Sequence, residues 1–288
     1  MINKSQIEFI VRREASEVEL RSLCSLPGVS GDEYEVHQYL SKEYQTLNLD
    51  LKRDKLGSIF GERQVENSPF KVMISSNIDE CGGMIDDIHE NGLLSFVTIG
   101  DVAPKDFLHH RVCLLTRHHQ RVYGYVLQKQ EHYWIHIGAK SLQEVEEFGV
   151  QVGDTFVLEI PVIETEQTIL SKNISNRAGV YAAYQLMKTM PLLPYTLSIG
   201  GITQSIVGYR GAITATNTIL PDVSIVLDVA PVRDYAEQTV YIRYFDKTLL
   251  PNVSLVKEIK EVAQSLGYEV KANVQEKGTD GSFIHKSL

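Results

Sequence analysis

The apolar positions of this chain change their period along its length. In "SGDEYEVHQYL" and the residues after it, Val36, Leu40 and Tyr44 repeat every fourth position, which places them on one face of a helix. Ser30 and Glu33 stand just ahead with capping-box spacing. Residues 17 to 24 read as a further helix, stopped by Pro27-Gly28. The run Val72-Met73-Ile74 then marks a buried strand over 71–76. From about 82 to 167 the texture becomes short and β-rich: "LLSFVTIG", "RVCLLTR", "RVYGYVLQ", "HYWIHIG" and "TFVLEI". Turn-prone His118-His119-Gln120 and Val152-Gly153-Asp154 separate several of these runs, which together predict a small barrel or sandwich.

After 168 helix and strand alternate again. Ser175 is placed to cap a helix running to about Met190. "TLSIGGI" (196–202) and "SIVLDVA" (224–230) read as buried strands. Val253 to Leu266 is amphipathic, with Leu255, Val256, Ile259, Val262 and Ala263 on one side and Gly267 as the stop. The pattern predicts a discontinuous α/β domain, residues 1–80 and 168–288, interrupted by a β module over 82–167.

Composition narrows the function. Over 288 residues, 43% are hydrophobic and 23% charged, as in ordinary globular proteins. The net charge of -9 argues against nucleic acid as a partner. The opening Met1-Ile2-Asn3-Lys4-Ser5-Gln6 lacks the apolar core of a signal peptide, and no apolar run approaches membrane-spanning length. Cys24, Cys81 and Cys113 are scattered, without CxxC spacing, so a reducing, cytoplasmic setting fits best.

Several residue groups are candidates for chemistry. Asp79-Glu80, in "SSNIDECGG" (75–83), follow a strand and read either as metal or acid/base groups or as solvated loop charges. Asp228 ends the run "SIVL", where open α/β sheets place functional groups, or else it caps a turn. The adjacent pairs His109/His110 and His118/His119 point to opposite faces of any strand and chelate poorly. Glu146-Glu147 and Asp86-Asp87 read as solvated charges. "GYRGA" (208–212) has no P-loop lysine, no serine has a GxSxG setting, and Cys81 reads as a packed thiol before a nucleophile. Nothing marks the two carboxylates of a glycosidase.

Eight ordered segments resemble the glutamyl aminopeptidase and tetrahedral-aminopeptidase family of dinuclear metallopeptidases, which includes cellulase-like aminopeptidase homologues. They are "LPGVSGDE" (26–33), "DKLGSIFG" (54–61), "NIDECGG" (77–83), "IGAKSLQEVEEFGVQVGD" (137–154), "SNRAGVYAA" (175–183), "TQSIVGYRGA" (203–212), "LDVAP" (227–231) and "GTDGS" (278–282). The resemblance implies an α/β phosphorylase/hydrolase-like aminopeptidase domain with an inserted small β-barrel domain. It also implies removal of N-terminal residues from peptides by two divalent metals, with a glutamate taking the proton of the attacking water.

Carried over position by position, the family's first histidine ligand falls on Asn77 and its bridging aspartate on Ser175. Its adjacent base and ligand glutamates fall on Ser205 and Ile206. Its aspartate ligand falls on Asp228 and alone is matched; its last histidine lies beyond "GTDGSFIHKSL". His136 and His285 do not match that histidine's position. Asp79, Glu80 and Asp280 remain as site-loop remnants, Asp79 being the residue that in such HxD loops orients the histidine. Ser175 is expected to serve as a helix cap and Ile206 to suit a buried strand end. The expectation is a non-catalytic homologue with no catalytic residue, no metal ligand and no cofactor, acting as a binding, assembly or regulatory protein. The competing reading is an active metalloaminopeptidase with a rebuilt zinc or cobalt site. The resemblance further implies a homo-oligomer or co-assembly with an active relative. A peptide is a candidate ligand, and neither nucleic acid nor membrane is an expected partner.

Overall fold

The computed structural model describes residues 17–68, 70–166, 168–229 and 238–287. The expectations touching residues 1–16 and Ala230-Pro231 of "LDVAP" lie outside them. The chain opens with α1 (Glu17–Ser25) and α2 (Tyr34–Thr46), followed by β1 (Asp50–Arg53), β2 (Ile59–Arg63) and β3 (Lys71–Asn77). The face predicted for α2 is the buried one: Val36, Leu40 and Tyr44 are all in the core. The capping box is not formed. Glu33 makes no cap hydrogen bond to α2. Its Oε1 instead accepts from the Gly31 and Gln204 N–H groups (3.1 and 3.2 Å) and from the Thr203 hydroxyl. Burial pushes this carboxyl up to about 7, against the lowering effect of those hydrogen bonds.

The β-rich stretch supplies β4 (Gly82–Ile88), β5 (Leu93–Ile99), β6 (Arg111–Leu115), β7 (Arg121–Lys129), β8 (His132–His136) and β9 (Thr155–Leu158). A 3-10 turn (Pro104–Phe107) and α3 (Leu142–Glu147) are embedded in it. The six strands close into a barrel in the order β4-β5-β8-β7-β6-β9. Phe96, Phe107 and Phe156 meet edge-on inside it, with ring centroids 5.0 to 6.1 Å apart. Closure leaves no strand edge open. A second apolar cluster of Val29, Cys113, Leu115 and Val157 joins the barrel to the loop before α2. Around that joint the Thr155 hydroxyl donates to Asp32 (2.7 Å), Arg121 pairs with Glu35, and Tyr34 stacks on His119.

After the barrel come the short strands β10 (Ile163–Glu164) and β11 (Ile169–Leu170), then α4 (Ile174–Thr189), β12 (Thr196–Ile202), α5 (Arg210–Ile219) and β13 (Val223–Val226). The main sheet has the order β1-β2-β12-β3-β13, with β12, β3 and β13 mutually parallel. Both of its faces are covered. Ile59, Ile74, Leu197 and Ile199 pack with α2 and α4, whereas their strand neighbours Phe60, Met73 and Ile202 pack with α5. Alternating side chains thus go to opposite cores, and the central strands read as continuous apolar runs for that reason.

Last come β14 (Thr239–Asp246), α6 (Val253–Ser265), β15 (Glu269–Gln275) and α7 (Gly281–Ile284). β14 and β15 pair with each other in parallel, apart from the main sheet. The burial of α6 is narrower than its pattern predicts: Val256 and Ala263 are enclosed, but Val262 keeps 58% of its surface exposed. A two-stranded sheet offers too little area to cover the whole stripe. Among the described residues no helix is long and apolar enough to cross a membrane.

Candidate functional site

The parallel strands β3, β12 and β13 end side by side, and the loops after their carboxyl ends form one wall of a cavity of about 470 Å³. The first turn of α4, β14 and the segment 275–280 close the opposite side. Asn77, Ser175, Ser205, Ile206 and Asp228, five positions read far apart in the sequence, all line it, as does Asp280. His136 is an exposed barrel residue, and His285 turns back to the Gly281 carbonyl at 3.1 Å; neither lines it. Glu146, Glu147, Asp86 and Asp87 are exposed, as expected.

Three local expectations need correction. Ser175 is not a cap: α4 starts at Ile174 behind Asn173, whose left-handed backbone (φ 61) ends the incoming loop. Inside the first turn, Ser175 Oγ donates to Asn176 Oδ1 at 3.0 Å. Ile206 is not at a strand end either. β12 stops at Ile202, and Ile206 sits half-buried in the turn beyond, its N–H donating to Asp79 Oδ2 at 2.9 Å. Asp79 and Glu80 are not solvated loop charges, since both are buried.

Those two acids do different work. Glu80 lies behind the cavity, where its Oε1 accepts from the Gly28 N–H at 2.9 Å and the carboxylate pairs with Lys172 (3.1 Å) and Arg177 (3.9 Å). Arg177, fully enclosed, donates onward to the Leu23 carbonyl at 3.1 Å. Glu80 therefore ties the Pro27-Gly28 loop, the segment before α4, and α4 together. Asp79 is fully enclosed behind the cavity turn that carries Ile206. Burial raises its pKa, opposed by the Ile206 N–H. The Ser30 hydroxyl and further backbone N–H groups act in the same lowering direction.

Ser205 and Asp280 form a pair, with Ser205 Oγ donating to Asp280 Oδ1 at 2.7 Å. Burial pushes the Asp280 carboxyl up to about 8, so it is largely uncharged near neutrality. Asp228 is held by Arg243, a residue the sequence reading passed over. Arg243 Nη2 lies 3.3 Å from Asp228 Oδ2, and Nη1 lies 2.9 Å from Asp246 Oδ1. The same guanidinium donates to the Lys277 carbonyl and to Gln275 Oε1, both at 3.3 Å. Asp228 is also raised by burial, offset by the Val229 N–H and by Arg243. Cys81 lines the cavity, but burial raises its thiol pKa, which disfavours the nucleophilic thiolate.

The metal pair implied by the resemblance does not fit these residues. Among the described residues no three His, Cys, Asp or Glu side chains converge as a ligand group. The carboxylate at the matched position is engaged by a permanent cation, Arg243, and Ile206 brings no lone pair on its side chain. Arg243 and Lys172 carried no signal in the sequence because Asp228 and Glu80, the carboxylates they hold at the cavity, are distant in the chain. Glu33 was marked in the sequence, but as a cap.

The comparisons with known proteins agree with the fold. The putative aminopeptidase FrvX of Escherichia coli (strain K12) is 32% identical over 91% of this chain and 81% of its own length. The glutamyl aminopeptidase of Lactococcus lactis subsp. cremoris (strain MG1363) is 26% identical over 92% of this chain and 83% of its own. The TET aminopeptidase of a marine sediment archaeon, Thaumarchaeota archaeon SCGC AB-539-E09, superposes with a TM-score of 0.86 at 25% identity. That superposition covers 95% of this chain and 85% of the other. Residues 57–288 match the model of the M42 glutamyl aminopeptidases. One expectation is thereby corrected: a chain from a metal-dependent aminopeptidase family cannot be assigned no cofactor, because divalent metal is the cofactor of that family. On the family match and the FrvX identity, this chain belongs to the M42 glutamyl aminopeptidase family.

Proposed function

We propose that this family member works by binding a peptide in the cavity at the strand ends, without hydrolysing it. The observation that carries the reading is the Arg243–Asp228 ion pair. It satisfies the one ligand-position carboxylate from within the chain, while Asn77, Ser175, Ser205 and Ile206 occupy the other positions. Ser205, at the position of the family base, is far too weak a base to take a proton from water near neutral pH, and its hydroxyl already donates to Asp280.

The test is a panel of aminoacyl substrates with acidic, basic and apolar N-termini, assayed with and without added zinc, cobalt or manganese. Asp228→Ala, assayed beside the parent, controls for contaminating peptidases. We expect no turnover by the parent above that of Asp228→Ala. Robust turnover that vanishes in Asp228→Ala overturns the proposal and establishes the second reading, an active metalloaminopeptidase, which family membership favours.

The protein is further proposed to act as a homo-oligomer. A Pyrococcus horikoshii TET1 peptidase, alike in fold at a TM-score of 0.82 and 20% identity, assembles into a tetrahedron or a large octahedral shell. That assembly is a property of the other protein and motivates a measurement on this one.

A further inference from the structure

The charges lining the cavity can be taken one by one. Arg243 is fully used, bound by Asp228, Asp246, Gln275 and the Lys277 carbonyl. Asp228 is matched by Arg243. The Asp280 carboxyl is buried and engaged by Ser205. Two charged side chains of the lining remain, Lys277 and Asp101. Both are exposed, and among the described residues neither has an ion pair. The ammonium of Lys277 nevertheless acts through space on both Cys81 and Asp228, so its charge is felt at the cavity floor. The two charges approach the cavity from different segments, one from the barrel side and one from the 275–280 side.

We propose that the cavity takes a small zwitterion of dipeptide size, its α-ammonium held by Asp101 and its carboxylate held by Lys277. One unpaired charge of each sign on a single cavity is complementary to a ligand with one of each. The remaining lining supplies neutral partners: Asn77, Ser175, Asn176 and Thr279. The volume of about 470 Å³ holds such a ligand with its water. An extended dipeptide spans roughly 7 Å. A carboxylate end is what separates this ligand from a long peptide, which would bring only its ammonium to the site. The inference rests on the binding reading above and specifies its ligand class.

Isothermal titration of the full chain with alanyl-alanine, N-acetyl-alanyl-alanine and alanyl-alaninamide tests it. The parent should bind the free dipeptide, and blocking either end should weaken binding by about two- to fivefold. Lys277→Gln should bind the dipeptide and its amide alike while still rejecting the acetylated form. Asp101→Asn should show the opposite pattern. Both side chains are exposed, so folding should be unaffected, and circular dichroism of each variant checks this. No heat with alanyl-alanine, equal binding of all three ligands by the parent, or unchanged discrimination in both variants would each overturn the proposal. Mass spectrometry of the titrated dipeptide reads the other question separately: free alanine sinks the non-hydrolytic reading, whereas the pattern of discrimination judges the zwitterion site.

Discussion

Asp280 is the residue whose ionisation the fold controls most visibly. Its carboxyl titrates near 3.8 when free and is pushed up to about 8 by burial. The folded chain therefore keeps a proton that the unfolded chain releases. Through this group stability is greatest below about pH 4 and is lost as the pH rises toward 8. The unfolding free energy of the parent minus that of Asp280→Asn, measured in urea, should fall across that range; a difference that rises or stays flat counts against the assignment. Arg243 acts in another way. Arg243→Gln leaves Asp228 and the buried Asp246 without their cation, and should cost about 2–4 kcal/mol in urea melts, below the upper end for a fully enclosed pair. Adding Asp246→Asn should recover part of that loss; strict additivity would mean the two do not act together. No local pattern in "TVYIRYFD" announces this arginine. Asp246 lies three residues on in β14 itself, Gln275 is brought up by the pairing of β14 with β15, and Asp228 comes from the loop after β13.

At the scale of elements, α4 shows a glycine used for close approach. A Cβ added at Gly179 would come within 2.4 Å of Ser76 Oγ and 2.9 Å of the Leu227 carbonyl. Glycine inside a helix costs about 1 kcal/mol against alanine, so Gly179→Ala would be a stabilising change on an open helix. Here we expect it to destabilise by about 1–3 kcal/mol, read as a lowered denaturation midpoint with an unchanged slope. A raised midpoint would show that α4 moves off the sheet easily. The strands of the barrel were legible one by one, since period-two alternation is local. Their closure was not, because it depends on β4 finding β9 across the whole module. We propose the division into residues 82–167 and the two flanking parts, 1–80 and 168–288, as a folding unit and its host. The segment 82–167 expressed alone should unfold cooperatively in denaturant. A featureless transition would show that it depends on the cluster around Val29.

At the scale of the molecule, the unit of β14, α6 and β15 leaves apolar side chains in water: Leu250 is 75% exposed, Val253 82% and Val274 69%. Surface of this kind accords with self-association. Light scattering at micromolar concentration should report a mass several times that of one chain, and a monomer there would count decisively against the oligomer. The cavity is likewise a property of the whole: its walls come from the ends of three parallel strands, the first turn of α4, β14 and the 275–280 segment.

The sequence by itself determined the buried face of α2 and the β-rich interruption, and it carries the proposal that Asn77, Ser175 and Ile206 stand at the ligand positions. Each of these is written in residues close together, or in segments whose order alone carries the resemblance. Tertiary structure decided which partner each buried acid found. Glu33 left its cap to brace Thr203 and Gln204. Glu80 became a buried anchor between Lys172 and Arg177. Asp228 gained Arg243, and Lys277 and Asp101 were left facing one cavity. Burial and long-range charge pairing arise only when distant segments meet, so they set the state of each carboxyl in ways no spacing along the chain encodes.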